Sequence, residues 1–321
     1  MAQPEISPEQ TEVCDRWQQT VQAVLAIVLL VGLAAMLHNY ASVSEPVPQP
    51  DQLQQQVVQL THEVEVLQRE QEMPALVLTR YRNSIGFVSG VYQVGFVNQP
   101  PAIRARVSGT GFLVGDGLLA TNRHVAEPWY EDNEAEALLH LGARATLESL
   151  VVFFPGSPTP VDLATGSVSS ADDLAVLRIA DKDAVRGLAI LPLAKRKVSA
   201  GEAVTVVGYP LGVTGMVAKS PSKIYERLAV RRSDLTAASE LAALSLIRPS
   251  TTCGHLGDVV GDKLIYDAPT AHGGSGGPVF DSDAEVIGVN SAYLDGFSGG
   301  TLGVSIDALR PLIEAAEKKP E

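Results

Sequence analysis

From about Ser84 onward the sequence consists of short runs of Val, Ile and Leu, separated by Gly, Asn or Asp about every ten residues. Runs of this length between turn residues are typical of β-strands and are too short for most helices. The sequence therefore predicts an all-β domain that closes with an amphipathic helix over Ile306–Ala316. The predicted strands are Ser84–Val91, Gly109–Val114, Gly117–Ala120, Leu150–Phe154, Ala175–Ile179, Ala203–Val207, Val279–Phe280 and Val286–Asn290.

The composition excludes several classes of protein. Hydrophobic residues make up 45% of the 321 residues, and 28 Gly with 20 Pro favour a turn-rich fold over a helical bundle. The formal net charge of −13 repels phosphate backbones, so we expect no nucleic-acid partner. Cys14 and Cys253 flank the long apolar run, so we expect no disulfide within the chain. Cys253 and His255 lack a second ligand cluster, so we expect neither a metal nor another cofactor.

A nearly continuous apolar run extends from Val21 to Leu37, close to the length that crosses roughly 30 Å of hydrocarbon as a helix. A signal peptide and a buried core helix are the alternatives. The leader is acidic and no small-residue cleavage site follows, which favours an uncleaved transmembrane anchor over residues 21–40. Basic residues beside a membrane span favour the cytoplasmic side, so Arg16 predicts that the leader, residues 1–20, is cytoplasmic. The chain after the anchor is then predicted to lie in the periplasm or outside the cell.

Beyond the anchor, a Pro-rich linker over residues 41–52 leads into a segment with heptad-like spacing over residues 53–72, and Pro74 follows it. The spacing predicts a short coiled-coil stalk. Because the segment holds little more than two heptads, two alternatives stay open: a homo-oligomer formed through residues 53–67, or one amphipathic helix packed on its own domain. The apolar seam consists of Leu53, Val57, Leu60, Val64 and Leu67.

Three segments of the β-rich region carry the residue types of nucleophilic catalysis. His124 follows a hairpin, Asp172 and Asp173 precede an apolar strand, and Ser275 lies among four glycines. The glycines let the Ser275 hydroxyl project and let the N–H groups of Gly273 and Ser275 converge as an oxyanion hole. Each segment alone has an ordinary explanation, as a capping His, a turn Asp or a phosphate loop. Together they indicate a His-Asp-Ser triad.

At these residues the sequence resembles the trypsin-like serine proteases, and most closely their HtrA/Deg branch. The resemblance covers about residues 84–316 and implies two six-stranded antiparallel β-barrels with the triad in the cleft between them, in a protease domain over residues 80–321. Gly274 departs from the branch, which has Asn there, and we expect no PDZ domain after the closing helix. The segments that carry the resemblance are Thr110–Val114, Ala120–Ala126, Asp173–Leu177, Val207–Gly212, Gly274–Pro278 and Val286–Asn290.

The resemblance also implies a role for each residue of the triad. Ser275 is the nucleophile, His124 is the base, and Asp173 rather than Asp172 orients the imidazole because it directly precedes the apolar strand. The resemblance further implies that Ser291 supports Asp173.

The resemblance places five residues at the substrate. Pro269 forms the floor of the primary specificity pocket, His272 its rim, and Ser291, Ala292 and Tyr293 a wall whose backbone pairs with the substrate. The pocket has no carboxylate at its base, so we expect cleavage after small or medium aliphatic residues.

We therefore expect a membrane-anchored serine endopeptidase that acts on protein or peptide substrates. The alternative is a catalytically silent trypsin-like fold that binds peptides or organises an assembly. An esterase is disfavoured because no G-x-S-x-G elbow is present. Two segments receive no site assignment: the acidic stretch Glu127–Glu136, interpreted as a solvated loop rather than a guide for basic substrates, and the long insertion Lys219–Asp262.

Overall fold

The computed structural model describes residues 8–43, 50–130, 132–229, 235–293 and 300–318. It divides into two compact units, Met1–Glu65 and Val66–Glu321. Helix α1 (Pro8–Val43) lies in the first unit, whereas α2 (Pro50–Tyr81) begins in the first unit and ends in the second.

Helix α1 contains one stretch, Gln19–Tyr40, that is long and apolar enough to cross a membrane. Its mean hydropathy is 2.5 and none of it is buried against protein. A helix of this kind near the N-terminus fits either a membrane anchor or a signal sequence.

Helix α2 extends further than the predicted stalk, because it continues through Pro74 to Tyr81. A proline inside a helix removes one backbone hydrogen bond and costs about 3 kcal/mol. Met73 and Val77 are buried on either side of it, and burial of each contributes about 1.5–3 kcal/mol, which offsets that cost. The ring of Tyr81 stacks on Phe280 with the ring centroids 5.8 Å apart. The folded domain therefore begins before residue 80.

The first barrel is closed and consists of six antiparallel strands in the order β1-β2-β3-β6-β5-β4. Its longest pairing joins β1 to β2, from Ile85 opposite Phe112 to Val94 opposite Ile103. The barrel interior is apolar, with Leu119, Val152 and Leu177 fully buried. The strands are β1 (Ile85–Gly95), β2 (Ile103–Gly115), β3 (Leu118–Thr121), β4 (Arg144–Phe153), β5 (Val161–Val168) and β6 (Ala175–Ile179).

The second barrel repeats this design in the order β10-β11-β12-β9-β8-β7. Its interior is mostly aliphatic but also contains the fully buried side chain of Tyr266, which carries a hydroxyl group. The strands are β7 (Ala203–Gly208), β8 (Ser250–Val260), β9 (Lys263–Tyr266), β10 (Pro278–Phe280), β11 (Val286–Tyr293) and β12 (Thr301–Ser305). The predicted architecture of two six-stranded antiparallel barrels is confirmed.

The helices occupy the connections. Two short helices, α3 (Arg123–Ala126) and α4 (Asn133–His140), follow β3, and the last four residues of the acidic stretch interpreted as a loop, Asn133–Glu136, lie in α4. Three more lie between β7 and β8. The second and third of these, together with β8, occupy the unassigned insertion Lys219–Asp262, whose Arg231 and Arg232 lie outside the described residues. The remaining helices are α5 (Gly212–Ala218), α6 (Ser222–Leu228), α7 (Leu235–Ala243) and the predicted closing helix, α8 (Ile306–Lys318).

A shared hydrophobic core joins the two barrels. Phe87 and Phe112 from the first barrel pack in one cluster with Tyr209 and Phe280 from the second. The end of α2, the inner faces of α5 and α7, and α8 complete the same cluster. The two barrels are therefore held in one arrangement, and the loops on either side of their junction face each other.

Candidate active site

His124 is positioned by the end of β3 and by α3. Its Nδ1 lies 2.8 Å from Asp173 Oδ2, and its backbone N–H donates to Asp173 Oδ1 at 3.0 Å. The buried side chain of Asn122 donates from Nδ2 to the backbone oxygen of Asp173 at 2.7 Å. These three contacts hold the loop before β6 against the residues after β3. The contact between Nδ1 and Asp173 Oδ2 fixes the orientation of the imidazole ring.

The carboxylate of Asp173 is largely buried. Burial by itself raises the pKa of Asp173, but the hydrogen bonds from His124 and Ser291 outweigh it, so the pKa lies below its usual value. Asp173 is therefore ionised at neutral pH. The backbone N–H of neighbouring Asp172 donates to Ser169 Oγ at 3.0 Å, whereas the carboxylate that contacts His124 is that of Asp173.

Ser291 links the carboxylate to the nucleophile loop. Its hydroxyl donates to Asp173 Oδ2 at 2.6 Å, and its backbone oxygen accepts from Ser275 Oγ at 2.9 Å. Within the described residues, no hydrogen bond joins the Ser275 hydroxyl to His124 in this structure.

The nucleophile loop depends on glycines at two positions. Gly273 and Gly276 have φ values of +90° and +85°, which side-chain-bearing residues rarely adopt. A Cβ at Gly273 would lie 2.5 Å from the Tyr209 carbonyl oxygen, and one at Gly276 would lie 2.1 Å from the Thr110 carbonyl oxygen. The loop can therefore pack this closely against β2 and the end of β7 only with glycine at both positions.

The N–H groups of Gly273 and Ser275 donate no hydrogen bond to any other part of the described chain. The buried Thr110 holds the carbonyls of the same two residues. Its hydroxyl donates to Gly273 O at 2.7 Å, and its N–H donates to Ser275 O at 2.7 Å. These contacts hold the loop against β2, while the N–H groups of Gly273 and Ser275 remain available to a ligand.

Ser275 and His124 open onto a cleft of about 740 Å³. Gly273 and His272 line it on the side of the second barrel. The opposite wall comes from the first barrel and from the segment after α3: Tyr92, Arg106, Val107, Ser108, Pro128, Tyr130, Asp132, Asn133 and Glu134.

Sequence reasoning missed several residues of this site. Thr110 and Asn122 lie in segments that carry the family resemblance, but nothing in the sequence assigned either of them a role in the site. Asp132 and Glu134 belong to the stretch interpreted as a solvated loop, yet they lie on the cleft wall. The Asp132 carboxylate caps α4 by accepting from the N–H groups of Glu134 and Ala135.

The predicted substrate-binding residues are distributed along the nucleophile side. His272 lines the cleft and Ser291 contacts the triad, as described above. Pro269, the predicted pocket floor, is exposed in the loop after β9. Ala292 and Tyr293 lie in β11, but their side chains, like residues 294–299, are outside the described part of the chain.

A metal site is not apparent at the cleft. Among the described residues, no group of three or more His, Cys, Asp and Glu side chains is arranged to hold a metal ion. Cys253 is a free, exposed thiol on β8.

Residues 109–289 match the family model of the trypsin-like peptidase domain. This match covers more than half of the chain and includes His124, Asp173 and Ser275, so the chain belongs to the trypsin-like peptidase family.

Curated relatives are proteases of the HtrA/DegP type. The chain is 28% identical to the mitochondrial serine protease HTRA2 of Bos taurus over 66% of its own length and 37% of the relative's. It is 29% identical to a probable periplasmic serine endoprotease, DegP-like, of Rhizobium meliloti over 63% of its length and 31% of the relative's. The chain thus spans about a third of these relatives. A solved serine endoprotease from Yersinia pestis is 19% identical, with 75% and 65% of the two chains covered and a TM-score of 0.48.

Proposed function

We propose that this protein is a serine endopeptidase that hydrolyses peptide bonds of protein substrates through Ser275, His124 and Asp173. The observation that carries the proposal is the hydrogen-bonded series from His124 through Asp173 and Ser291 to Ser275, in one cleft with two available backbone donors. A structural His–Asp pair would need neither the cleft nor the donors.

In the first chemical step, Ser275 Oγ attacks the carbonyl carbon of the scissile bond, and its proton passes to His124 Nε2. The negative charge that develops on the carbonyl oxygen accepts hydrogen bonds from the N–H groups of Gly273 and Ser275. His124 then gives the proton to the leaving amine, which produces an acyl-enzyme. Water, deprotonated by the same imidazole, hydrolyses the ester and regenerates Ser275.

Asp173 acts by holding and stabilising the imidazole. An ionised carboxylate at Nδ1 requires the proton on that nitrogen, which leaves Nε2 free to accept from Ser275. It also stabilises the imidazolium that forms during acylation. The lowered pKa of Asp173 keeps this carboxylate charged throughout the neutral range.

The direct test is hydrolysis of an unfolded protein substrate, such as reduced casein, by the full chain in detergent. We expect cleavage by the wild type and none by Ser275→Ala. A catalytically silent binding module is the second candidate, favoured by one observation: the Ser275 hydroxyl bonds to Ser291 O instead of His124. Binding of casein without cleavage by the wild type would support that candidate.

We also propose that the apolar stretch Gln19–Tyr40 is an uncleaved membrane anchor, with the N-terminus in the cytoplasm and the protease domain in the periplasm or outside the cell. The apolar length supports the span and Arg16 supports the orientation. The protein should remain in the membrane after alkaline carbonate extraction. A mature chain that begins near Ser42 would instead show a cleaved signal peptide.

The stalk is proposed to associate with a second copy of the chain. Its seam residues Leu53, Val57, Leu60, Val64 and Leu67 are each between 45% and 64% exposed, although all are apolar. Two anchored copies lie at high local concentration, which compensates for the short length of the coiled coil. Cross-linking in membranes should trap dimers or trimers of the wild type, and Leu60→Lys should abolish them.

For the primary specificity pocket we propose Pro269 at the floor, His272 at the rim, and Ser291, Ala292 and Tyr293 along the wall. None carries a carboxylate, so a basic side chain would lack a counter-ion. Cleavage is expected after Val, Ala or Leu with modest discrimination, about 10–200-fold for one methylene group. Mass-spectrometric profiling of a peptide library decides this, and predominant cleavage after Arg or Lys would contradict it.

A further inference from the structure

We propose that Tyr266 and Asn290 form a positioning relay that aims the Ser275 N–H into the oxyanion hole. This inference rests on the proposed peptidase function. It concerns two buried side chains of the second barrel that touch neither substrate nor triad.

The relay begins from the geometry of the two donor peptides. A trans peptide directs its C=O and N–H in opposite directions, so fixing the carbonyl also fixes the N–H. The N–H of Gly273 shares a peptide with the His272 carbonyl, which accepts from Leu211 N at 2.6 Å. The N–H of Ser275 shares a peptide with the Gly274 carbonyl. That oxygen accepts from Asn290 Nδ2 at 2.9 Å and from Gly277 N at 3.1 Å.

The two carbonyls are therefore held by different kinds of group. Leu211, which lies between β7 and α5, and Gly277, which lies in the loop itself, both donate from the backbone. Asn290 donates from a side chain that is 0% exposed and belongs to β11, outside the loop. It is thus the side-chain contact through which the rest of the barrel orients the Ser275 donor.

Tyr266 fixes which way the Asn290 amide faces. The phenol of Tyr266 donates to Asn290 Oδ1 at 2.8 Å. In the reversed amide, Oδ1 would face the Gly274 oxygen and two acceptors would meet, so only the observed orientation satisfies both contacts. Burial raises the pKa of Tyr266, which keeps the phenol neutral and able to donate. Thr270 Oγ1 accepts the second Nδ2 hydrogen at 3.1 Å, which completes the set of partners.

Strand pairing in the second barrel brings Tyr266 and Asn290 within hydrogen-bonding distance of each other. Tyr266 ends β9, which pairs with β12, and β12 pairs with β11, where Asn290 lies opposite Gly303. A Cβ at Gly303 would lie 3.1 Å from the Tyr266 hydroxyl oxygen, so glycine leaves the phenol room to reach across to Asn290. Buried polar groups with all partners in place form rigid networks, whereas partly satisfied ones destabilise the site.

The test compares Asn290→Leu and Tyr266→Phe with Thr205→Val. Thr205 is a buried residue of β7 in the same barrel and does not contact the relay, so its variant reports the loss of a buried hydroxyl alone. Removal of a whole oxyanion donor costs about 10²–10³ in kcat. Mis-aiming one donor should cost less, about 10–100-fold in Asn290→Leu and about 3–10-fold in Tyr266→Phe, with KM unchanged. Thr205→Val should keep the wild-type kcat.

A pair of inhibitors separates positioning from a general structural role. A peptide aldehyde with the sequence that the wild type cleaves best forms a tetrahedral adduct whose oxygen occupies the oxyanion hole. The matching peptide alcohol forms no adduct. In both relay variants the aldehyde should bind more weakly by the same factor as the loss in kcat/KM, while the alcohol should bind as it does to the wild type.

Each outcome bears on the proposal. Unchanged kcat in both relay variants, or equal loss of aldehyde and alcohol binding, would overturn the relay. If Asn290→Leu does not fold, Tyr266→Phe alone decides by the same measurements. A wild type that neither hydrolyses peptides nor binds the aldehyde more tightly than the alcohol contradicts the proposed function itself, and the relay is then rejected with it.

Discussion

The two barrels have the same strand order but contribute differently to the site. The first barrel supplies His124 and Asp173, which are held by direct contacts between side chains and strand ends. The second supplies Ser275 and two backbone donors in a glycine-rich loop. The buried pair Tyr266 and Asn290 contacts this loop through the Gly274 carbonyl. Changes in the first barrel should therefore act on proton transfer, and changes in the second on nucleophile and oxyanion geometry.

The largest expected effect tests whether the two contributions act as one unit. Ser275→Ala and His124→Ala should each lower kcat by about 10⁴-fold or more, and the double variant should be little worse than either. Both side chains border an open cleft, so unfolding temperatures should stay close to the wild type. Independent, multiplicative losses would mean that the barrels contribute separate activities.

A second test distinguishes the adjacent carboxylates of the first barrel. Asp173→Asn should lower kcat by about 10⁴-fold, because the amide cannot hold the imidazole in the same tautomer. Asp172→Asn is the matched control and should retain most activity, since the Asp173 carboxylate alone contacts His124. If Asp172→Asn is the more damaging variant, the proposed carboxylate is wrong.

A third test concerns the helix that packs on the second barrel. Met73→Ala should lower the free energy of unfolding by about 2–5 kcal/mol, because Met73 is only 3% exposed in the shared core. Val58→Ala, on an exposed face of the same helix, should change it by less than about 0.5 kcal/mol. Equal effects in urea denaturation would show that the end of α2 is not part of the folded domain.

A smaller effect is expected where the two barrels meet. Ser291→Ala removes the hydroxyl that donates to Asp173, a hydrogen bond to a charged group worth about 1.5–3 kcal/mol. Since two bonds from His124 remain, kcat should fall only about tenfold. A loss as large as that of Asp173→Asn would mean that Ser291 does more than support the carboxylate.

The weakest effect is a pH dependence of stability. The pKa of Asp173 is lowered in the folded protein, so its ionisation stabilises the fold above the unfolded value of about 3.9. That contribution is lost as the pH falls through the lower folded value. The difference in unfolding free energy between the wild type and Asp173→Asn should therefore shrink from pH 7 to pH 2. A constant difference would contradict the assigned pKa direction.

The two-barrel architecture was predicted in full, whereas only eight of the twelve strands were predicted. All eight predicted strands overlap observed ones, because each contains Val, Ile, Leu or Phe side chains that are buried in the structure. The strands β5, β8, β9 and β12 were missed. In β8, for example, Thr, Gly, His and Asp replace the apolar residues, and only Leu256 is buried. Pairing with neighbouring strands, rather than its own hydrophobic pattern, determines this strand.

The site shows the same division. His124, Asp173 and Ser275 were predicted because each lies in a recognisable motif. Tyr266 and Asn290 were not, because their contact depends on the register of β9, β12 and β11, which no local pattern specifies. The continuation of α2 through Pro74 was missed for a similar reason, since the tertiary burial of Met73 overrides the local cost of proline.

The central claim is that Ser275 is a nucleophile activated by the first barrel. The most direct measurement is the rate at which a fluorophosphonate labels the full chain, with the modified residue located by mass spectrometry. We expect labelling at Ser275 in the wild type, a rate reduced about 10³-fold or more in His124→Ala, and no labelling in Ser275→Ala. A wild type that is not labelled, or that is labelled equally fast without His124, would contradict the claim.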